Sequence, residues 1–464
     1  MKKVVLVLLL AALTAFVAAQ TEPRGPGFRE TVEVRVMDLD VVVTDSKGRN
    51  VADLSRGDFL VKVDGQPVAI DYFARVDEGT IHAPDLAEAS PDRVLEEYRK
   101  GTETYLPRHF LIYFDVGHVS PGLRRRALEA LRDFVTRLGP SDSARVVLFD
   151  RRAKELTPWT PSKETIFEAL SKIESGVGMS RLLTEQQTLR EIDATGSRSS
   201  RAFLARSYAE QERAEVRKML DDMGTELATL TALPGKKAFL LVSGGFDMQP
   251  GYAMSQYALG GISLAAFDVR SVASEVDAIV KRANASDVTF YTVDARGLTA
   301  EGSSASNDDP LASRPGVSFI AREDSQTGLR TLAQETGGLA LVNSNDLQRG
   351  LSRVYEDTST YYSIGVNVSK LPGTGYRNIR VEVSRPGMVV RARRGFAPRS
   401  NAERGRDIAQ AVLRSNIEYR GIPVTLRVAP PTKQKKYYGV PISVIIPSSA
   451  LTFLPQGDSR RASA

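Results

Sequence analysis

Two stretches, Arg108-His-Phe-Leu-Ile-Tyr-Phe-Asp-Val-Gly-His-Val-Ser120 and Lys236-Lys-Ala-Phe-Leu-Leu-Val-Ser-Gly-Gly-Phe-Asp247, decide the fold of this chain. Each is a short apolar run that breaks off in Gly, Ser and Asp, the pattern of a buried parallel strand opening into a loop at its carboxyl end. A third run, Asp287-Val-Thr-Phe-Tyr-Thr-Val-Asp294, follows a helical stretch over 272–285 and ends the same way. Together they predict an α/β fold, a doubly wound and mostly parallel sheet whose carboxyl-end loops form the binding edge.

Working outward from the first run, Leu123, Ala127, Leu131, Phe134, Val135 and Leu138 recur at helical spacing and predict an amphipathic helix over 122–138. Gly139-Pro140 stops it, and Ser143-Ala-Arg-Val-Val-Leu-Phe149 reads as the next strand. Ser162 suits the cap of a helix ending near Ile173, because its hydroxyl can accept from exposed backbone amides. Residues 180–233 are polar and rich in Arg, Glu, Gln and Ala, and read as one or two helices broken at Gly196-Ser197. The Ser, Asn, Asp, Pro and Gly content of 298–319 predicts a surface loop. Helices over 327–335 and 345–358 lead into runs at 336–342 and 361–368, which are expected to complete the sheet.

The flanks read as antiparallel strands. Val32, Val34 and Val36 alternate with charged residues, and turn signals follow at Asp45-Ser-Lys-Gly48 and Asp64-Gly65. The alternating runs at 377–384 and 388–393 are expected to pair with that region or to form their own hairpin. The expected organisation is a signal segment over 1–19, a β-domain over 20–75 and a linker over 76–106 with a helical turn near 93–99. An α/β domain over 107–368 with a helical insertion at 180–233 follows, then a β-hairpin over 369–400. A C-terminal β-segment with a disordered tail closes the chain over 401–464.

Composition narrows the function. A basic start, Met1-Lys2-Lys3, an apolar run over 4–19 and small residues before Gln20 match a secretory signal cleaved near Gln20. The run is shorter than the roughly 20 residues a membrane-spanning helix needs, so no membrane insertion is expected after cleavage. The protein is therefore expected to be exported, to the periplasm or beyond the cell. With no cysteine there is no lipid-attachment Cys, disulfide framework or thiol catalysis. The net charge of +6 falls to about +4 without the signal lysines, too mild to imply nucleic acid. The clusters Arg124-Arg125-Arg126 and Arg391-Ala-Arg393-Arg394 have no interleaved aromatic residues for base stacking, and read as a solvated helix face and a strand end.

The strand ends at Asp115, Ser243-Gly-Gly-Phe-Asp247 and Val293-Asp294 resemble those of von Willebrand factor type A domains. Three framing segments extend the resemblance to the secreted bacterial VWFA-related group, over about residues 30–400. They are Leu54-Ser-Arg-Gly-Asp-Phe-Leu-Val-Lys-Val-Asp-Gly65, Glu335-Thr-Gly-Gly338 with Tyr361-Tyr362, and Arg391-Ala-Arg-Arg-Gly-Phe396. The resemblance implies a metal-ion-dependent adhesion site, a first loop reading Asp-x-Ser-x-Ser with a Thr and an Asp from later loops, whose oxygens hold Mg²⁺. Here Gly117 and Val119 stand at the serine positions, Ser120 falls one residue late, and Gly244 takes the second Asp position with Asp247 three residues on. The metal candidates are thus Asp115, Ser120 and Asp247, a degenerate site, with Thr184 as the candidate threonine. No cofactor is expected, Mg²⁺ or another divalent cation being the alternative.

Asp115 has a second use, hydrogen bonding to the amides of its own loop. His118 beside it is a soft-metal ligand or a plain surface residue. An enzymatic reading rests on Val242-Ser243-Gly-Gly245, half of a nucleophile elbow, but Leu241 stands where a Gly belongs. Of the three histidines, His82, His109 and His118, only His118 is placed to serve that serine, so no catalysis is expected. The resemblance implies an exported, non-enzymatic adhesion-type protein whose partner is another protein. The alternative is a metal-free structural or assembly component of the cell envelope.

Overall fold

The computed structural model describes residues 36–86, 104–117, 119–176, 178, 180–260, 270–297, 310–311, 313–368, 375–398, 401–415, 424–434, 437–447, 452–456 and 459–463. The signal segment, the helical turn near 93–99, His118 and the first part of the 298–319 loop lie outside them.

The chain enters through β1 (Val36–Thr44), β2 (Phe59–Val63), β3 (Gln66–Val68), β4 (Ile70–Asp77), β5 (Thr80–Leu86) and β6 (Thr104–Tyr105). Asp64 and Gly65 both take positive φ between β2 and β3, the backbone a tight hairpin demands and Asp-Gly supplies. The α/β unit follows with β7 (Arg108–Asp115), β8 (Ser143–Phe149), β9 (Ala153–Glu155), β10 (Lys236–Ser243), β11 (Val288–Asp294) and β12 (Ala340–Leu341). These six form one sheet in the order β12-β11-β10-β7-β8-β9, parallel except for the β8–β9 pair.

Every residue of β7, β10 and β11 is buried, which is why these strands read as unbroken apolar runs. Because side chains alternate across a strand, β7 feeds two cores. Phe110, Ile112 and Phe114 pack with the helices Pro121–Thr136, Lys163–Ser175 and Leu347–Ser359. Leu111 and Tyr113 pack with Arg198–Thr231, Ala273–Ala285 and Pro315–Glu335 on the other face. Ser162 accepts from the Thr165 amide at 3.2 Å, the cap its position suggested.

Two expectations fail on the sheet's composition. The run at 361–368 does not join the parallel sheet; as β13 (Tyr361–Asn367) it lies antiparallel between β1 and β4. An apolar run carries no record of its pairing partner, and Ile364 and Val366 find their burial in the β-domain. The described ends of the linker over 76–106 carry strands, β5 and β6, which extend the run β1-β13-β4-β5-β6 of one antiparallel sheet. The returning strands β14 (Arg377–Val383), β15 (Val389–Arg391) and β16 (Gly395–Phe396) pair with β2, β1 and β14 rather than forming a separate hairpin. The two antiparallel sheets enclose a core of Leu39, Val41, Val61, Ile364 and the ring cluster Phe59, Phe73 and Tyr362, whose centroids lie 5.0–5.5 Å apart.

The β-domain is seated at the amino edge of the parallel sheet. Lys236, first in β10, pairs with Asp40 of β1 at 2.7 Å and lies over the Tyr361 ring. Arg391 donates to the Asp357 carboxylate at 2.7 Å, and Arg393 reaches the Asn284 carbonyl at 2.7 Å. The second basic cluster lies at a strand end, as expected, and also ties the β-domain to the α/β unit.

Two further boundaries differ. The helix expected from 327 starts at Pro315, so part of the polar segment read as loop is helical; its polar Ser318, Ser325 and Gln326 are buried, Gln326 donating to Asp294 and Asn343 at 2.9 Å. Residues read as a disordered tail include β22 (Ser459–Ser463), paired with β21 (Thr452–Gln456). Among the described residues no helix is long and apolar enough to cross a membrane.

Candidate functional site

The strand order reverses between β7 and β10: the chain runs outward from β7 to β8 and β9, then returns to place β10 on the other side of β7. Such a switch point opens a crevice at the carboxyl ends of the two strands. Asp115 ends β7, Ser243 ends β10, and both are fully buried there.

The crevice is roofed by helices. Arg198–Thr231, 34 residues and about 50 Å long at 1.5 Å per residue, contributes to two cores. Its second half, from Val216 to Leu230, lies on the sheet, whereas Ala205 and Tyr208 of its first half join a separate cluster. That cluster includes Leu189 and Ile192 of the helix Ser180–Ala194, Met254 and Tyr257 of Tyr252–Leu259, and Leu311. The Tyr257 hydroxyl donates to Asp193 at 2.8 Å, and Arg314 stacks over the Tyr257 ring at 3.8 Å. The inserted segment thus builds a cap with its own small core.

Under the cap, the Asp115 carboxylate accepts from the Gly117 amide at 2.9 Å and from the Ser243 hydroxyl at 2.7 Å. The Ser243 oxygen accepts in turn from the Gly245 amide at 3.0 Å, and Gly245 takes a positive φ of +86°, a backbone glycine adopts freely. The nearest cation is Arg181 of the cap, 1% exposed, with Nη1 3.8 Å from Asp115 Oδ2. Arg181 also pairs with Glu212 on the long helix, Nε lying 3.4 Å from Oε2, and its Nε stands 4.0 Å from Glu215. The Leu182 amide donates to the Gly117 carbonyl at 3.0 Å, tying the start of the cap to the β7 loop.

Burial pushes the Asp115 carboxyl above its ordinary value; Arg181, the Gly117 amide and Ser243 pull it back without cancelling that rise. Burial also works to lower the Arg181 pKa, but Glu212 and then Asp115 outweigh it and hold the group above its ordinary value. A guanidinium does not release its proton in a protein, so the site holds one fixed positive charge.

The metal candidates are placed as follows. Asp115 is engaged as described. Ser120 sits at the N-cap of Pro121–Thr136 with its buried hydroxyl making no hydrogen bond. Asp247 is half-buried, its carboxyl pushed well up by burial and by the neighbouring Glu212 and Asp324. Thr184 faces the surface side of the cap, where its hydroxyl accepts from Arg151 at 3.1 Å. Among the described residues no group of three or more His, Asp or Glu side chains is arranged to hold a metal ion. Gly117 and Val119 add no side-chain oxygen, and an added Cβ at Gly117 would lie 2.9 Å from Arg181 Cδ and 3.1 Å from Asp115 Oδ1. The residues present therefore do not fit a hard divalent cation, which needs about six oxygen ligands.

Gly117→Ser, which restores the first loop's serine, is consequently expected to destabilise the protein by about 1–3 kcal/mol, the usual cost of overpacking a filled site. Chemical denaturation checks it; a neutral or stabilising outcome would show that the Arg181 stem does not fill this space.

Arg181, Glu212 and Glu215 were not singled out from sequence. The available signal was the double loss of serine oxygens at Gly117 and Val119, which left Asp115 without a cation; several arginines lie between 180 and 233, and nothing in their spacing marks the buried one. Arg124, expected on a solvated face, is buried and donates to the Gly176 carbonyl at 2.7 Å, holding the C-terminal end of the helix Lys163–Ser175. His109 lies at the opposite edge of the sheet, hydrogen-bonded to Ser143 at 2.7 Å.

No family model and no curated protein matches the chain. Weak likenesses to solved structures exist. An aerotolerance-related membrane protein from Bacteroides fragilis is 13% identical, with 54% of this chain and 98% of that one covered and a TM-score of 0.28. Proximal thread matrix protein 1 from the mussel byssus, with a zinc-occupied MIDAS motif, is 14% identical over 55% of this chain and 46% of that one, at a TM-score of 0.27. The PilB minor pilin from Streptococcus sanguinis is 11% identical over 65% and 78% respectively, at a TM-score of 0.30. Scores this low attach neither a site nor a function to this chain.

Proposed function

We propose that this chain is an exported, non-enzymatic, adhesion-type protein that binds another protein, built on a doubly wound A-type α/β domain whose partner-facing surface is the helical cap. The observation that carries this reading is the burial of Asp115 and Ser243 beneath the cap, which closes the Asp115 carboxylate to a metal ion shared with a partner. The 3-2-1-4-5-6 order of the sheet strands, counted from β7, and the cores on both faces support the doubly wound description. The cap carries large apolar side chains in solvent: Phe203 is 71% exposed, Phe319 57% and Leu183 50%. Exposed aromatic residues on a rigid helical frame are the usual anchors of protein interfaces. Ser243 is fully buried, which keeps its hydroxyl from meeting a substrate.

Site-specific photo-crosslinking in intact cells tests this reading. A crosslinker at Phe203 or Phe319 is expected to capture one defined protein with or without a chelator, while one at Asp277, on an exposed helix below the cap, captures none. Failure at all cap positions sinks the reading.

The second reading, a structural or assembly component whose β-segments make the contacts, is favoured by β17 (Thr425–Val428) and β20 (Ile442–Ile445). Among the described residues these pair only with each other, and they expose Leu426 by 62% and Ile442 by 61%. Crosslinks confined to 424–446 would decide for it.

A further inference from the structure

We infer that the recess at the end of β7 is a guanidinium site, filled by the protein's own Arg181, which docks the cap onto the sheet by bridging Asp115 to Glu212. This inference does not depend on which surface meets a partner.

Three observations point to it. Among the described residues Arg181 is the largest fully buried side chain, and carboxylates from two different layers converge on it: Asp115 from the sheet and Glu212, with Glu215 behind it, from the long cap helix. The space for its stem exists only because position 117 has no side chain, as the 2.9 Å approach of an added Cβ to Arg181 Cδ shows. The arginine is also positioned from its backbone, since the next residue's amide is bonded to the Gly117 carbonyl.

The chemistry selects a guanidinium over a metal or an ammonium. Asp115 Oδ1 is held by the Gly117 amide and Oδ2 accepts from Ser243, and Arg181 Nη1 faces Oδ2 at 3.8 Å, an ion-pair contact with no hydrogen bond of its own. A planar fork can meet that oxygen with one nitrogen and the Glu212 carboxylate with the others, which a compact ammonium cannot do from one point. A divalent cation would need several further oxygens, and the neighbouring Gly117 and Val119 offer none from their side chains. Removing the arginine leaves an anionic, buried recess matched in charge to a small free guanidinium, with the Glu212 and Asp115 carboxylates still in place.

The test is chemical complementation of residues 20–464 carrying Arg181→Ala, followed by thermal unfolding. The variant is expected to melt several degrees below wild type. Millimolar methylguanidinium should recover part of that loss, whereas methylammonium and Mg²⁺ at matched ionic strength should not. Wild type should be unmoved by all three. The inference is overturned if Arg181→Ala melts with wild type, if Mg²⁺ or methylammonium restores it as well as methylguanidinium does, or if methylguanidinium restores nothing. A rise in wild-type melting temperature with Mg²⁺ overturns it as well. Should Arg181→Ala fail to fold, Arg181→Lys and Glu212→Gln, singly and combined, carry the test. Losses that fall short of additive support the bridge, and additive losses contradict it.

Discussion

Asp142→Ala is expected to remove about 3–5 kcal/mol from the stability of the α/β unit, the range measured when one member of a buried ion pair is deleted. The Asp142 carboxylate is wholly buried and accepts from Arg108 Nε at 3.0 Å, Arg108 Nη2 at 2.5 Å and the Gly139 amide at 2.7 Å. Arg108 stacks over the Tyr355 ring at 4.5 Å and also donates to Ser359. Deleting the carboxylate leaves that guanidinium at the start of β7 with an uncompensated charge and strips the turn after Pro121–Thr136 of its anchor. Denaturant melts of the variant measure the loss, and a change below about 1 kcal/mol would place this pair with weak surface bridges. The double replacement Arg108→Met with Asp142→Leu is expected to cost less than the single one, because it removes both charges. This edge lies opposite the cap, so the damage should be global, with no selective loosening of the helices over Asp115.

Acid is expected to destabilise the same edge through His109. Burial lowers its pKa from 6.5 to about 4, the Lys237 charge adding to this while the Pro234 carbonyl and Asp142 oppose it. The unfolded chain therefore binds a proton that the folded protein refuses. The stabilisation is complete above about pH 6.5 and is lost as the pH falls toward 4, a loss on the order of 3 kcal/mol. Asp115, Asp247 and Glu226 act in the opposite sense, since their raised values make protonation in the folded state favourable as the pH falls. The difference between wild type and His109→Gln isolates the histidine: stability should decline less steeply in the variant between pH 6.5 and 4. Parallel profiles would mean that His109 is protonated in the folded protein as readily as in the unfolded chain.

Much of the architecture was written in the chain. The buried runs ending at Asp115, Ser243 and Asp294 announce a parallel sheet because strands covered on both faces have no polar side to show. Ser162, Gly196-Ser197 and Asp64-Gly65 mark their boundaries through local backbone chemistry that needs no tertiary context. Partnership was not legible in the same way. Tyr361–Asn367 reads identically whether it adds to the parallel sheet or lies between β1 and β4, since strand pairing is fixed by contacts more than 280 residues away, such as Thr360 with Asp77. The site followed the same division. Asp115 and its weakened first loop stood out, but the cation that answers Asp115 comes from an insertion whose composition looks like a solvated helix. Arg181 is buried between Gly117 and Asp115 of the sheet edge and Glu212 of the long helix, and no local pattern records those neighbours.

The most direct test of a protein-supplied cation at the sheet edge is a crystal structure of residues 20–464 grown in Mn²⁺ and measured for anomalous scattering. The account predicts guanidinium density for Arg181 between Asp115 and Glu212 and no anomalous peak beside Asp115. A Mn²⁺ peak at coordination distance from Asp115, with Arg181 displaced, would contradict it.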